Sequence, residues 1–200
     1  MKPSSTRSAD FPRVVVPKRY GDSRGWFSES FHKERLRDAG IVCDFVQDNQ
    51  SSSSSSGTLR GLHFQLPPAG QAKLVQVLKG SILDVLVDVR NGSPTYGKHV
   101  SVKLSADNNY QLYVPVGFAH GLLTLENDVL VMYKVSHYYE PKLDSGIRWN
   151  DPDIAVQWPI KESEIALSEK DRRLPFLKEF SSPFPYDGMP LGPLQVINLG

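Results

Sequence analysis

Short apolar segments separated by turn residues dominate the chain between residues 59 and 135. Some alternate apolar and polar residues, as in segment 82–89, where Asp84 and Asp88 interrupt the apolar run. Turn residues follow the segments at Lys79-Gly80, Asn91-Gly92, Asp107-Asn108, Pro115 and Asn127-Asp128. Strands of this length and spacing are typical of a sandwich or barrel. The pattern therefore predicts an all-β jelly roll, an architecture that can hold a small-molecule site inside.

The remaining segments predict little regular structure. Residues 30–40 are expected to form one short helix, with Ser30 as its N-cap and Gly40 just past its end. Residues 20–25 are expected to form a turn, and the serine run 51–56 a mobile loop. The predicted organisation is a flexible start at 1–10, one domain at 11–176, and an extended Pro- and Gly-rich tail at 177–200.

Composition excludes several classes of protein. The net charge is +1, which gives no large field to attract nucleic acid or membranes. No apolar run approaches the roughly 18 residues of a membrane helix, and the first ten residues lack the apolar core of a signal peptide. Cys43 is the chain's one cysteine, so an intrachain disulfide is impossible and a reducing cytoplasm is expected.

The segment around His63 is the first candidate for chemistry. Arg60 and His63 lie three residues apart, and Leu62 and Phe64 flank the histidine. On a strand, the two-residue period directs His63 away from those apolar neighbours. The histidine would then face a cavity, although a histidine that is hydrogen-bonded within the core would show the same pattern.

Four further candidates lie on separate segments: Lys73, His120, Tyr133 and Asp171. Each also has a purely structural interpretation, such as a solvated strand end for Lys73 or a core tyrosine for Tyr133. Ser168 and Asp171 also fit a capping box that begins a short helical turn.

One motif is more specific. Residues 115–120 read Pro-x-Gly-x-x-His, the pattern of the second cupin motif, which places His120 at the mouth of the barrel. A metal cupin also needs a His-x-His pair, but the earlier strand reads His63-Phe64-Gln65. Two scattered histidines do not form the open three-ligand site of a catalytic metal. We therefore expect a cupin with no metal and no cofactor, in which His120 contacts the ligand.

The chain resembles the RmlC-type family, dTDP-4-dehydrorhamnose 3,5-epimerases and their relatives in deoxysugar pathways. The resemblance extends over residues 12–176. The segments that carry it are 22–29, 47–49, 59–65, 73–75, 93–98, 114–121, 133–134, 149–152 and 167–171.

The resemblance implies inversion of carbons beside the C4 ketone of a dTDP-linked 4-keto-6-deoxyhexose. It implies that His63 is the base, and that Asp171 holds the other nitrogen of its ring. Lys73 would stabilise the enolate oxygen, and Tyr133 would return a proton from the opposite face.

Further matches imply substrate contacts and a homodimer. Arg24 and Glu29 match residues that reach the nucleotide from the neighbouring subunit, and a shared site requires two copies of the chain. The complete set of expected binding residues is Arg24, Glu29, Gln47, Asp48, Asn49, Arg60, His120, Asp144 and Lys170.

Two departures leave the specificity open. Asp144 stands where relatives often carry glutamate, and serine stands before Thr58 where relatives usually have a basic residue. The alternatives are a mono-epimerase acting at C3 or C5, a non-catalytic sugar-nucleotide-binding cupin, and a metal-dependent cupin oxygenase or isomerase.

Overall fold

The computed structural model describes residues 10–200 and consists mainly of two facing β-sheets. One sheet has six strands in the order β13-β1-β9-β6-β11-β4, and the other has five in the order β12-β5-β10-β7-β8. The strands are β1 Arg13–Pro17, β2 Arg19–Asp22, β3 Gly25–Ser28, β4 Gln47–Ser53, β5 Leu59–Gln65, β6 Lys73–Lys79, β7 Ser81–Asp88, β8 His99–Ser105, β9 Gln111–Val114, β10 Phe118–Thr124, β11 Val129–Val135, β12 Asp144–Gly146 and β13 Gln195–Leu199. The all-β prediction is confirmed.

The space between the sheets is filled by alternate residues of the strands. Val75 and Val77 of β6 and Val129 and Val131 of β11 meet residues of β7 and β10 in one buried cluster. The two-residue period of a strand sends the intervening side chains to the outer faces. The alternation in the sequence therefore specifies which side chains face the space between the sheets.

Helices are short, as predicted, but the first begins later than expected. Helix α1 covers Lys33–Asp38, and its N-cap is His32, whose ring accepts the Arg35 amide, in place of the expected Ser30. Gly40 has a φ of +79°, which is the conformation expected just past a helix end. Helix α2 covers Glu169–Arg172, and two 3-10 turns occupy Glu162–Glu164 and Leu177–Glu179.

Two expected loops are partly strands. The turn expected at 20–25 is confined to residues 23 and 24, which connect β2 and β3 in a hairpin. Residues 51–53 of the serine run extend β4, where Ser51 and Ser53 pair with Val131 and Val129 of β11. Serine has no strong preference for strands, so this pairing comes from the neighbouring strand and not from local sequence.

Asp10 and the C-terminal tail pack on the domain. Most of the predicted flexible start, residues 1–10, lies outside the described residues, but Asp10 accepts a hydrogen bond of 2.7 Å from the Tyr113 hydroxyl. In the tail, β13 pairs in parallel with β1. Phe184, Leu191 and Leu199 of the same tail are buried. Among the described residues, no helix is both long and apolar enough to cross a membrane.

A buried ion pair holds part of this tail in place. Arg90 is 2% exposed, and its guanidinium donates to both oxygens of the fully buried Asp88. The same guanidinium donates to Asp187 of the tail at 2.8 Å. Ser93 and Thr95 also donate to Asp88, so this carboxylate is surrounded by donors.

We expect Asp88→Ala to lower the free energy of unfolding by about 3–5 kcal/mol, because it leaves a buried guanidinium short of its main partner. Glu34→Ala, which removes an exposed ion pair with Arg37, should cost less than about 1 kcal/mol. Urea unfolding followed by circular dichroism measures both. Equal losses in the two variants would contradict this account of the network.

Candidate active site

The candidate site is a cavity of about 320 Å³ at one end of the space between the sheets. Its wall contains residues from both sheets and from the segments that follow β11. The lining residues are Gln47, Asn49, His63, Phe64, Gln65, Gln71, Lys73, Tyr133, Tyr139, Asp144 and Lys170. A cavity of this size suits one sugar-sized ligand, since ligand sites occupy roughly 300–1,000 Å³.

His63 faces the cavity, as its strand pattern predicted. Leu62 and Phe64 pack in a buried cluster on the outer side of the five-stranded sheet. Beside the histidine, β5 and β10 approach closely at two glycines. Gly61 has a φ of +136°, and a Cβ there would lie 2.5 Å from the Gly121 Cα. Side chains larger than hydrogen would force these strands apart and displace His63.

His63 is held by Asp171, as the sequence analysis expected. The His63 Nε2 lies 2.6 Å from Asp171 Oδ1. A carboxylate accepts, so Nε2 carries the hydrogen, and Nδ1 is the basic nitrogen of the neutral ring. Burial acts to raise the pKa of Asp171, but hydrogen bonds from His63, Ser168 and Gly61 outweigh it and lower this pKa. Asp171 therefore remains an anion that fixes the tautomer of the ring.

Tyr133 lines the same cavity from the opposite sheet. It lies on β11, two residues beyond the core residue Val131, so its side chain also points inward. Burial raises the pKa of Tyr133, the charge of Arg60 lowers it, and the charge of Asp144 raises it further. The phenol therefore keeps its proton near neutral pH and can act as an acid.

Lys73 opens β6 next to β11 and is 9% exposed. Its Nζ lies 3.5 Å from the His63 carbonyl oxygen. Burial lowers the pKa of Lys73 to about 8, against the opposing charges of Asp84 and Asp144. At pH 7 the amine is still mainly charged, and it carries this charge inside a buried site.

The expected binding residues 47–49 lie on β4, and their side chains point to two different faces of that strand. Gln47 and Asn49 line the cavity, and the Gln47 amide donates to the Asn49 side chain at 2.8 Å. Asp48 points the other way and pairs with Lys134 at 2.9 Å. Asp48 therefore does not line this cavity, and its contact with substrate stays a prediction.

Asp144 and Lys170 lie together at the cavity rim. The Lys170 ammonium pairs with Asp144 Oδ2, which also accepts the Tyr139 hydroxyl at 2.8 Å. The aspartate therefore occupies a site position despite being shorter than glutamate.

The remaining expected residues lie outside this cavity. Arg60 lines an adjoining cavity of about 360 Å³ that also contains His63, Lys170 and Asp171. His120 is the cross-strand partner of His63 and is 8% exposed.

Arg24 and Glu29 stand apart from His63 in the same chain. Arg24 is exposed and pairs with Asp22, while Glu29 lines a separate cavity of about 170 Å³. Their assignment to a neighbouring subunit stays a prediction.

Sequence reasoning missed several lining residues. Gln65 was noted only as part of a motif, and its side chain donates to the carbonyl oxygens of Ala69 and Tyr138. Tyr139 was not singled out, although a Tyr-Tyr pair between a strand and Pro141 is an available signal. Outside the cavity wall, the most consequential omission is Asp84, which resembled one more polar position in an alternating strand. Among the described residues, no three His, Cys, Asp or Glu side chains could jointly hold a metal ion.

We expect Lys73 to titrate at about pH 8, whereas lysines in water titrate at about pH 10.4. Carbon NMR of lysine labelled at Cε, assigned with Lys73→Arg, should show one resonance that shifts around pH 8. If all lysine resonances shifted together above pH 10, the Lys73 amine would not be buried as described.

Comparisons with known proteins agree with this geometry. Residues 11–179 match the family model described as dTDP-4-dehydrorhamnose 3,5-epimerase. The dTDP-4-dehydrorhamnose 3,5-epimerase of Sinorhizobium fredii is 48% identical over 174 residues, which cover 87% of this chain and 89% of that protein.

Solved structures of such epimerases share the fold. The Bacillus anthracis protein, with TDP and PPi bound, has a TM-score of 0.81 and 47% identity, covering 86% of this chain and 97% of that chain. The Legionella pneumophila protein, in complex with dTDP-4-keto-L-rhamnose, has a TM-score of 0.82 and 40% identity, covering 88% and 100%. The family resemblance seen in the sequence is confirmed, and the chain belongs to the dTDP-4-dehydrorhamnose 3,5-epimerase family of isomerases.

Proposed function

We propose that this protein epimerises a dTDP-linked 4-keto-6-deoxyhexose at C3 and C5, with His63 as base and Tyr133 as acid. The observation that carries the proposal is that these two side chains enter one cavity from opposing sheets. Inversion needs a proton removed from one face of a carbon and another delivered to the opposite face. A base and an acid on facing walls suit this requirement.

His63 removes the proton next to the C4 ketone. That C–H bond is acidic because its anion spreads onto the ketone oxygen as an enolate. The neutral ring accepts the proton at Nδ1, and the Asp171 carboxylate stabilises the resulting imidazolium through its 2.6 Å contact with Nε2. A positioned base of this kind contributes about 10²–10⁴-fold to the rate.

Lys73 stabilises the enolate oxygen. Its ammonium is nearly buried, and charges act more strongly where water is excluded. The interaction grows as negative charge develops on oxygen, so it favours the transition state over the ground state. Donors placed in this way contribute roughly 3–4 kcal/mol.

Tyr133 completes the inversion. Because its pKa is raised, the phenol holds its proton until the enolate carbon takes it from the side opposite His63. His63 then releases its proton to water and Tyr133 takes one up, so that the same three groups can act again at the other carbon flanking the ketone.

We further infer that the working form is a homodimer. A cavity of about 320 Å³ accommodates the sugar, but a nucleotide diphosphate extends beyond it. The hairpin of β2 and β3 carries Arg24 together with the exposed aromatic residues Trp26 and Phe27, which are 61% and 68% exposed. Apolar side chains exposed together indicate a surface for a partner. Placed on a second copy, this hairpin would bring Arg24 and Glu29 to the nucleotide.

We infer that the enzyme works in the cytoplasm, because its one cysteine, Cys43, suits a compartment in which thiols remain reduced. Burial raises the pKa of the Cys43 thiol to about 11, and the charge of Asp10 raises it as well. The protonated thiol is a poor nucleophile and is suited to a structural position.

The direct test is incubation with dTDP-4-keto-6-deoxyglucose in D₂O, with the product observed by proton NMR. We expect deuterium at both C3 and C5. Deuterium at only one carbon would replace the proposal with a mono-epimerase, and none at either carbon would leave a binding protein.

Substitutions separate the roles of the two proton-transfer residues. His63→Ala should reduce exchange by about 10²–10⁴-fold, because abstraction has lost its base. Tyr133→Phe should lose inversion more than exchange, since His63 can exchange its proton with D₂O and return a deuteron to the face that it deprotonated. His137→Ala and Tyr138→Phe are matched controls on exposed side chains and should retain activity. Full exchange in His63→Ala would remove the proposed base.

A shared site can be tested by mixing two inactive variants. Arg24→Ala and His63→Ala each damage every site in their own homodimers. In a mixed dimer, one of the two sites contains His63 from one subunit and Arg24 from the other. Refolding an equal mixture should recover about a quarter of the sites. No recovery in mixed dimers, verified by tags on each variant, would place Arg24 outside the partner's site.

A further inference from the structure

Asp84 is a buried carboxylate with one unsatisfied oxygen. It lies on β7 between the core residues Ile82 and Leu86, on the strand face that points between the sheets, and it is fully buried. Its Oδ1 lies 2.6 Å from the Nε2 of His120, while its Oδ2 has no hydrogen-bond partner among the described residues. Burying such a group is costly, so it requires a compensating interaction.

The buried ammonium of Lys73 is the candidate for this interaction. Lys73 also projects between the sheets, two residues before the core residue Val75 of the opposite sheet. Burial acts to remove the charge of Lys73, and Asp84 is the largest influence that opposes this effect. Asp84 lacks a second hydrogen-bond donor among the described residues, and Lys73 is shielded from water. Each therefore supplies a charge that the other needs.

Other charged groups around Lys73 do not replace Asp84. Asp144 on β12 also favours the charged amine, but its carboxylate is already paired with Lys170 and Tyr139. Lys170 near the start of α2 disfavours the charge. His63 on β5 is paired with Asp171, and His120 on β10 with Asp84 itself. Tyr133 on β11 keeps its proton and adds no charge.

We propose that Asp84 is a positioning residue, whose negative charge keeps Lys73 an ammonium and whose Oδ1 fixes the orientation of the His120 ring. Asparagine can accept the same hydrogen bond from His120, so the orientation of His120 alone does not require a carboxylate. The charge is the property that Lys73 requires. The catalytic consequence rests on the proposed function, because only an enolate makes a charged Lys73 valuable.

Asp84→Asn separates charge from shape. Without the anion, the Lys73 titration should move down from about pH 8 by about one unit. The alkaline limb of the kcat profile should move with it, because the ammonium is lost as pH rises. The rate should fall about five- to tenfold at pH 8 and remain close to wild type near pH 6. A purely structural role predicts lower stability with both the titration and the limb unchanged.

The Lys73 titration is followed by carbon NMR of Cε-labelled lysine in the ligand-free protein. This readout does not depend on turnover. If wild type shows no exchange in D₂O, the proposed function fails, while the titration still decides whether Asp84 controls Lys73. An unmoved Lys73 titration in folded Asp84→Asn would overturn the proposal even if exchange in the wild type is normal.

Three further variants complete the experiment. Asp84→Glu keeps the charge and should hold the Lys73 titration near that of wild type. Asp84→Ser removes the charge with a smaller side chain, and it serves if Asp84→Asn does not fold. Asp107→Asn removes an exposed carboxylate and should change neither readout. Equal shifts in Asp84→Asn and Asp84→Glu would show that shape, and not charge, is responsible, and would also overturn the proposal.

Discussion

The sandwich brings mainly apolar side chains together where its two sheets meet, and β6 and β11 change to polar side chains where the cavity begins. On β11 the inward side chains change from Val129 and Val131 to Tyr133, and on β6 from Val77 and Val75 to Lys73. The apolar half buries surface and stabilises the sandwich. The polar half forms the site, so a change in strand register would damage stability and chemistry together.

Polar side chains in this interior have few hydrogen-bond partners within reach, so each histidine depends on one particular carboxylate. His63 depends on Asp171, and His120 depends on Asp84. Both carboxylates come from segments remote in sequence from their histidines. The network is therefore specified by the tertiary structure, and its electrostatic effects are strong because little water is present to screen them.

Alternation in the sequence was sufficient to predict the strands and the inward direction of His63, because burial on one face leaves a local pattern. It failed for residues 51–53, where serine carries no such pattern and pairing with β11 determines the strand. The hairpin of β2 and β3 was missed because its exposed strands bury nothing. Local sequence therefore predicted elements that pack on the core better than elements that only pair with a neighbouring strand.

The site was predicted in part for a related reason. Motif resemblance identified His63, Lys73, Tyr133 and Asp171, and the structure brings these residues to one end of the sandwich. It grouped Asp48 with Gln47 and Asn49, although the two-residue period of β4 directs Asp48 to the opposite face. Asp84 went unnoticed because its proposed role depends on an oxygen without a hydrogen-bond partner among the described residues and on an ammonium from the opposite sheet, and neither leaves a mark in the local sequence.

The parallel pairing of β1 with β13 also constrains how the protein is made. Arg13 pairs with Gln195 and Pro17 with Leu199, so this part of the sheet joins residues that are 182 positions apart in sequence. Contacts between such distant residues form slowly, because a long loop must close first. During synthesis, β1 leaves the ribosome long before β13 does, and one side of its backbone lacks a pairing partner in the meantime. Aggregation of nascent chains through this open edge would compete with folding until the last strand arrives.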